Sequence, residues 1–98
     1  MTINKTQDDK TLTLAIVGRL DTTTAPDLEK EIDNLGEIKE LIIDMKELEY
    51  TSSAGLRALL KAQKLMNEKG SMKVTNVNET IMEVFEITGF SEMLTIEK

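Results

Sequence analysis

The sequence predicts a single α/β domain over residues 1–98, with a mixed, mostly parallel sheet of four to five strands covered by helices. Three observations predict it. Apolar runs of strand length, such as Leu41-Ile42-Ile43, alternate with stretches whose apolar residues recur at helical spacing. Glycines follow those helical stretches, as they do where helices end. The 98 residues suffice for one core but not for two. Strands that alternate with helices pair mostly in parallel, because each crossover helix returns the chain to the same end of the sheet.

The order read along the chain is β-β-α-β-α-β-α-β. Thr2–Gln7 is weakly β-like, and Asp8-Asp9-Lys10 is a turn signal. Thr11 to Val17 alternates and then becomes nearly all apolar, as a strand does on passing from half-exposed to buried surroundings. These two runs make an N-terminal hairpin. Pro26 suits a first helical turn, where its missing N–H costs nothing, so a helix begins near Thr23 or Thr24. Ala25, Leu28, Ile32 and Leu35 form its apolar stripe, and Gly36 ends it. Ile38 to Met45 holds the most buried strand, closing at Asp44, and Lys46-Glu47-Leu48-Glu49 reads as a polar connection with one apolar anchor.

A second helix carries Leu56, Leu59, Leu60 and Met66 toward the core and closes at Gly70. Met72 to Val77 is a short strand. Asn78 caps a third helix, whose Ile81, Val84 and Phe85 face inward and whose end is Gly89. Its three glutamates read as a solvated face, and Phe90 as an apolar clamp on the helix end. Met93 to Ile96 alternates as a final edge strand. The six methionines read as flexible core filler.

Composition removes whole classes of function. Eighteen acidic against twelve basic residues leave a net charge of −6, and the basic residues are scattered. Nucleic acid and anionic membrane both demand basic neutralisation, so neither is an expected partner. Cysteine and histidine are absent, which excludes disulfides, thiol catalysis, Ser-His-Asp triads and the usual metal ligands. No apolar stretch approaches a transmembrane length, and Met1–Lys10 has no signal-peptide core, so a cytoplasmic location is the expectation.

Chemistry concentrates in Tyr50-Thr51-Ser52-Ser53-Ala54-Gly55-Leu56, where three hydroxyls and two small residues precede the second helix. Ser and Thr cap helices there, and the same free N–H groups favour anions. The segment is therefore a cap, an anion seat, or a hydroxyl offered for phosphorylation. Function in α/β sheets gathers beyond the carboxyl ends of strands, which puts Asp21 on the same rim as Ser52 and Ser53. Asp21 either orients a hydroxyl or helps a cation site there, or it caps the Thr22–Leu35 helix that follows it. Asp44 is a further carboxylate on that rim or a plain strand end.

Familiar enzyme motifs fail. Thr51-Ser52-Ser53-Ala54-Gly55 lacks the first glycine of a G-x-S-x-G elbow, and there is no histidine to activate the serine. No G-x-x-x-x-G-K-[ST] is present to hold a nucleotide. A receiver domain phosphorylated on Asp44, a rival α/β switch, is usually a longer chain than this one.

Three segments together resemble STAS domains of the anti-sigma-factor antagonist type, over essentially the whole chain. They are Gly18-Arg19-Leu20-Asp21 with Thr24-Ala25-Pro26 and Leu28, the Tyr50 to Leu56 segment, and Val84-Phe85-Glu86-Ile87-Thr88-Gly89-Phe90. By position, the residue matching the family's phosphorylated serine is Ser53, with Ser52 the alternative. Ser52 falls where many members have Asp, which removes a carboxylate beside the acceptor and leaves two adjacent hydroxyls. Asp21 matches the family's acidic residue near the acceptor.

The resemblance implies a non-catalytic, partner-switching module with no cofactor and no metal of its own. Its partners would be an anti-sigma factor with serine-kinase activity, which supplies ATP and magnesium, and a phosphatase that resets the switch. Binding would involve Asp21, Thr22, Thr51, Ser52, Ser53, Ala54 and Gly55. The other readings are a phosphorylation-independent STAS adaptor in a signalling or transporter-associated complex, and a small nucleotide-binding protein.

Overall fold

In the computed structural model, residues Met1–Glu97 are described. Strands β1 (Thr2–Asp8) and β2 (Thr11–Leu20) form the expected antiparallel hairpin, in register from Thr2 opposite Val17 to Asp8 opposite Thr11. Its tight turn holds Asp9 at a φ of 56°, a left-handed conformation that a short polar side chain tolerates. The chain then runs through α1 (Ala25–Asp33), β3 (Glu40–Asp44), β4 (Leu48–Thr51), α2 (Ser53–Lys69) and β5 (Ser71–Thr75). It finishes with α3 (Glu79–Thr88), a 3₁₀ turn (Phe90–Glu92) and β6 (Ile96–Glu97).

Sheet order is β1-β2-β3-β5-β6, with every pairing after the hairpin parallel. The steps from β2 to β3, β5 and β6 all move in one direction. Right-handed crossovers therefore lay α1, α2 and α3 on the same face. Burial follows this arrangement. Leu12, Leu41 and Met72 lie in register across three strands, as do Leu14, Ile43 and Val74, and all six are buried. Between them, Thr13, Ile42 and Lys73 point to the opposite face and are only half-buried.

Each helix closes this core with its predicted stripe. Leu28 and Ile32 of α1, Leu59 and Met66 of α2, and Ile81 and Phe85 of α3 are all almost completely removed from water. Each such side chain contributes about 1.5–3 kcal/mol relative to exposure. Leu60 and Val84, expected beside them, sit at the edge of the stripe and are half-buried. Phe90 is half-buried against the core just beyond Gly89, whose φ of 82° turns the chain out of α3.

Four details depart from expectation. Helix α1 stops at Asn34, whose side-chain amide donates to the Lys30 carbonyl at 2.8 Å. Leu35 stays buried although it has left the helix, and Gly36, at a φ of 62°, makes the turn after it. Gly70 does end α2, but in an extended conformation that any residue adopts. It is small because the Lys39 backbone passes so close that a Cβ would collide with its carbonyl.

The final strand covers only Ile96–Glu97; Met93 is exposed and Leu94 buried ahead of it. Most consequential, part of the supposed polar connection after β3 is a sixth strand, β4. Gly18 takes a φ of 98° and the register shifts between Gly18 and Arg19. By this bend β2 leaves β3, last paired at Ala15 and Asp44, and takes β4 as its neighbour from Gly18–Leu48 to Leu20–Thr51.

Candidate functional site

The added pairing of β2 with β4 builds the rim on which the predicted residues meet. Leu20 lies opposite Thr51, and the next N–H, that of Ser52, donates to the Leu20 carbonyl at 2.9 Å. Asp21 and the two serines therefore leave adjacent strand ends together. Gly55 seals the junction. A Cβ on it would lie 2.5 Å from Thr51 Oγ1, 2.7 Å from Leu20 Cγ and 2.9 Å from the Leu20 carbonyl oxygen. Only a residue without a side chain lets α2 start this close to β2.

The hydroxyls have separate fates. Thr51 is buried, and its hydroxyl donates to the Ser52 carbonyl at 3.3 Å. Ser52 has the extended backbone of an N-cap, is half-buried, and its Oγ accepts the Gly55 N–H at 3.3 Å. Ser53 is the first residue of α2 and is exposed. Among the described residues its hydroxyl has no hydrogen-bond partner. Ala54 beside it is half-buried, and Thr22, across the rim, is exposed.

Asp21 organises the opposite bank. Its Oδ1 accepts the Thr23 hydroxyl at 2.7 Å, the Thr23 N–H at 2.9 Å and the Thr24 N–H at 3.2 Å. In return the Asp21 N–H donates to Thr24 Oγ1 at 2.8 Å, and the Thr24 hydroxyl donates to the Arg19 carbonyl. The carboxylate thus shapes the turn into α1, whose N-cap position is Thr24 rather than Asp21. Its described hydrogen bonds reach neither serine. The Thr23 hydroxyl above all, then the Thr23 N–H, holds the Asp21 carboxyl below the ordinary aspartate range.

Asp44 does not join this group. Its Oδ1 accepts the Lys46 N–H at 3.0 Å and the Asn76 side-chain amide at 2.9 Å, tying β3 to the end of β5. Among the described residues, no three His, Cys, Asp or Glu side chains gather as a metal site. No described helix is long and apolar enough to cross a membrane.

One pairing on the rim joins residues that the sequence placed in separate segments. Arg19 and Tyr50 lie opposite each other in the β2–β4 pairing, and the guanidinium sits 4.2 Å from the centre of the Tyr50 ring. Arg19 Nε is also 3.9 Å from Asp21 Oδ2, a weak and exposed pair. The signal lay in β4, which the polar residues around Leu48 concealed.

Known proteins place this arrangement in context. The family model described as STAS domain matches residues 2–98. The anti-sigma-B factor antagonist of Listeria monocytogenes is 31% identical over 97 residues, covering 95% of this chain and 84% of that one. Among solved structures, an anti-sigma factor antagonist from Mycobacterium paratuberculosis superposes with a TM-score of 0.87 at 22% identity, over 97% of this chain and 83% of the other. The Bacillus cell fate determinant SpoIIAA, solved in its phosphorylated form, gives 0.77 at 17% identity, over 99% and 92%. At those identities the two structures establish a shared fold.

Proposed function

The chain belongs to the STAS domain family, and on that premise we propose that it is an anti-sigma-factor antagonist switched by phosphorylation of Ser53. Unmodified, it binds an anti-sigma factor that is also a serine kinase and so frees the sigma factor for transcription. The observation that carries this reading is the division of labour between the two serines. Ser52 is spent as the helix cap, whereas Ser53 presents a free, exposed hydroxyl one residue later. The relatives named as antagonists support the choice of partner.

The transfer needs nothing from this chain but the nucleophile. Ser53 Oγ bonds to the γ-phosphorus of ATP as the bond from that phosphorus to the ADP oxygen breaks. The hydroxyl proton passes to a base on the kinase, which also holds the nucleotide and its magnesium. The product carries about −1.5 to −2 charge and three strong acceptor oxygens. A helix N-terminus tolerates that charge, so the fold persists. The change falls on the docking surface formed by Asp21, Thr22, Ser52, Ser53 and Ala54, where the phosphate repels acidic groups and blocks close approach. Thr51 and Gly55, expected to join that surface, are buried beneath it and shape it from below. A phosphatase restores the binding form.

Incubating the chain with an anti-sigma factor kinase that binds it, ATP and magnesium, then mapping the phosphate by tandem mass spectrometry, tests this. A single phosphate on Ser53 is expected. A kinase that binds the chain yet leaves both serines unmodified would sink the proposal.

A further inference from the structure

We propose that Arg57 is the intramolecular counter-ion of the phosphate on Ser53; this rests on the phosphorylation reading above. Ser53 and Arg57 stand four residues apart on α2, and both are exposed. Residues at that spacing are surface neighbours, with Cβ atoms about 5–6 Å apart. Helical side chains lean toward the helix N-terminus, so a side chain as long as that of Arg57 can reach back to the turn that carries Ser53. An anion N-terminal to its cation is also the favourable order for such a pair.

Two other cations, Arg19 on the rim and Lys61 on α2, already have partners. Arg19 is stacked on Tyr50 and leans toward Asp21. Lys61, the next residue along the same helical stripe, pairs with Asp33 at 3.2 Å. Among the described residues, Arg57 makes neither an ion pair nor a hydrogen bond, and the first turn of α2 contains no acidic residue to pair with it. A guanidinium binds phosphate oxygens through two parallel N–H donors, which a lysine in the same place would not match. The modification therefore does more than add charge. It withdraws a free cation from the exposed face of α2, and it fixes the phosphate in one orientation for whatever protein reads it.

The test installs phosphoserine at position 53 by synthesis or genetic encoding, so that no kinase is required. Urea unfolding then compares the phosphorylated and unphosphorylated chains, each with Arg57 and with Arg57→Gln. Phosphorylation is expected to raise the folding equilibrium constant about two- to five-fold more with Arg57 than with Arg57→Gln. The Arg57 Nε–H resonance should shift and sharpen on phosphorylation, and Arg57→Lys should restore only part of the coupling. Equal effects of phosphorylation in both backgrounds, with an unmoved Arg57 resonance, would overturn the proposal. That failure is separate from failure of the switch itself, which shows as a kinase that does not modify Ser53.

Discussion

Gly55→Ala puts the architecture of the rim under direct strain. The new methyl group would meet Thr51 Oγ1, Leu20 Cγ and the Leu20 carbonyl oxygen, all within 3.0 Å. The third contact is backbone, and that same oxygen already accepts the Ser52 N–H. No flexible side chain can simply move aside there, so α2 must shift away from β2. Overpacking of this kind costs about 1–3 kcal/mol, and a clash with backbone belongs near the top of that range. Replacing glycine in a helix returns up to about 1 kcal/mol. The net loss is about 2 kcal/mol, or roughly 10 °C in Tm for a domain of this size. Thermal and urea unfolding measure it, with the urea m-value unchanged because the surface exposed on unfolding is the same. A Gly55→Ala chain as stable as the wild type would refute the close junction between β2 and α2, and with it the placement of Ser53 beside Asp21.

Two further predictions separate the roles of the neighbouring polar groups. Ser52→Ala removes the cap of α2 and should cost about 1 kcal/mol in urea unfolding while leaving Ser53 open to phosphorylation; Ser53→Ala should leave stability unchanged and abolish the modification. Because the Asp21 carboxyl lies below the ordinary aspartate range when folded, its contribution to stability is complete above the unfolded pKa and is lost as pH falls through the folded value. Unfolding midpoints measured from neutral to acid pH should therefore decline less steeply at the acid end in Asp21→Asn than in the wild type; parallel curves would count against the Thr23 and Thr24 hydrogen bonds.

Most of the fold was legible because its signals are local. The stripes of α1, α2 and α3, the Asp9 turn and the Asn78 cap each depend on residues a few positions apart, and Asn78 Oδ1 does accept the Ile81 N–H. Strand β4 was not legible, for a physical reason. Of its four residues only Leu48 and Thr51 are buried, and its pairing partner lies some thirty residues away, reached only because β2 bends at Gly18. The sequence cannot show such a bend, since Gly18 reads equally as the end of a strand.

Gly36 and Gly70 were recognised as stops, but the causes differ. One turns the chain at positive φ after the helix has already ended, and the other makes room for the Lys39 backbone. At the site, the strand-end rule set Asp21 and the serines on one rim, and they do leave adjacent strand ends, though the strand before the serines is β4 rather than β3. The resemblance pointed to Ser53 with Ser52 as the alternative, but which serine caps α2 depends on where the first helical turn begins, which the sequence does not show. The contact of Arg19 with Tyr50 was not legible because only the β2–β4 register sets them face to face.

The most direct measurement is the affinity of the cognate anti-sigma factor for the chain with and without phosphate on Ser53, by calorimetry at fixed salt. Partner switching predicts that the phosphate weakens binding at least tenfold, about 1.4 kcal/mol, while the circular dichroism of the domain is preserved. Equal affinity for the two forms would contradict it.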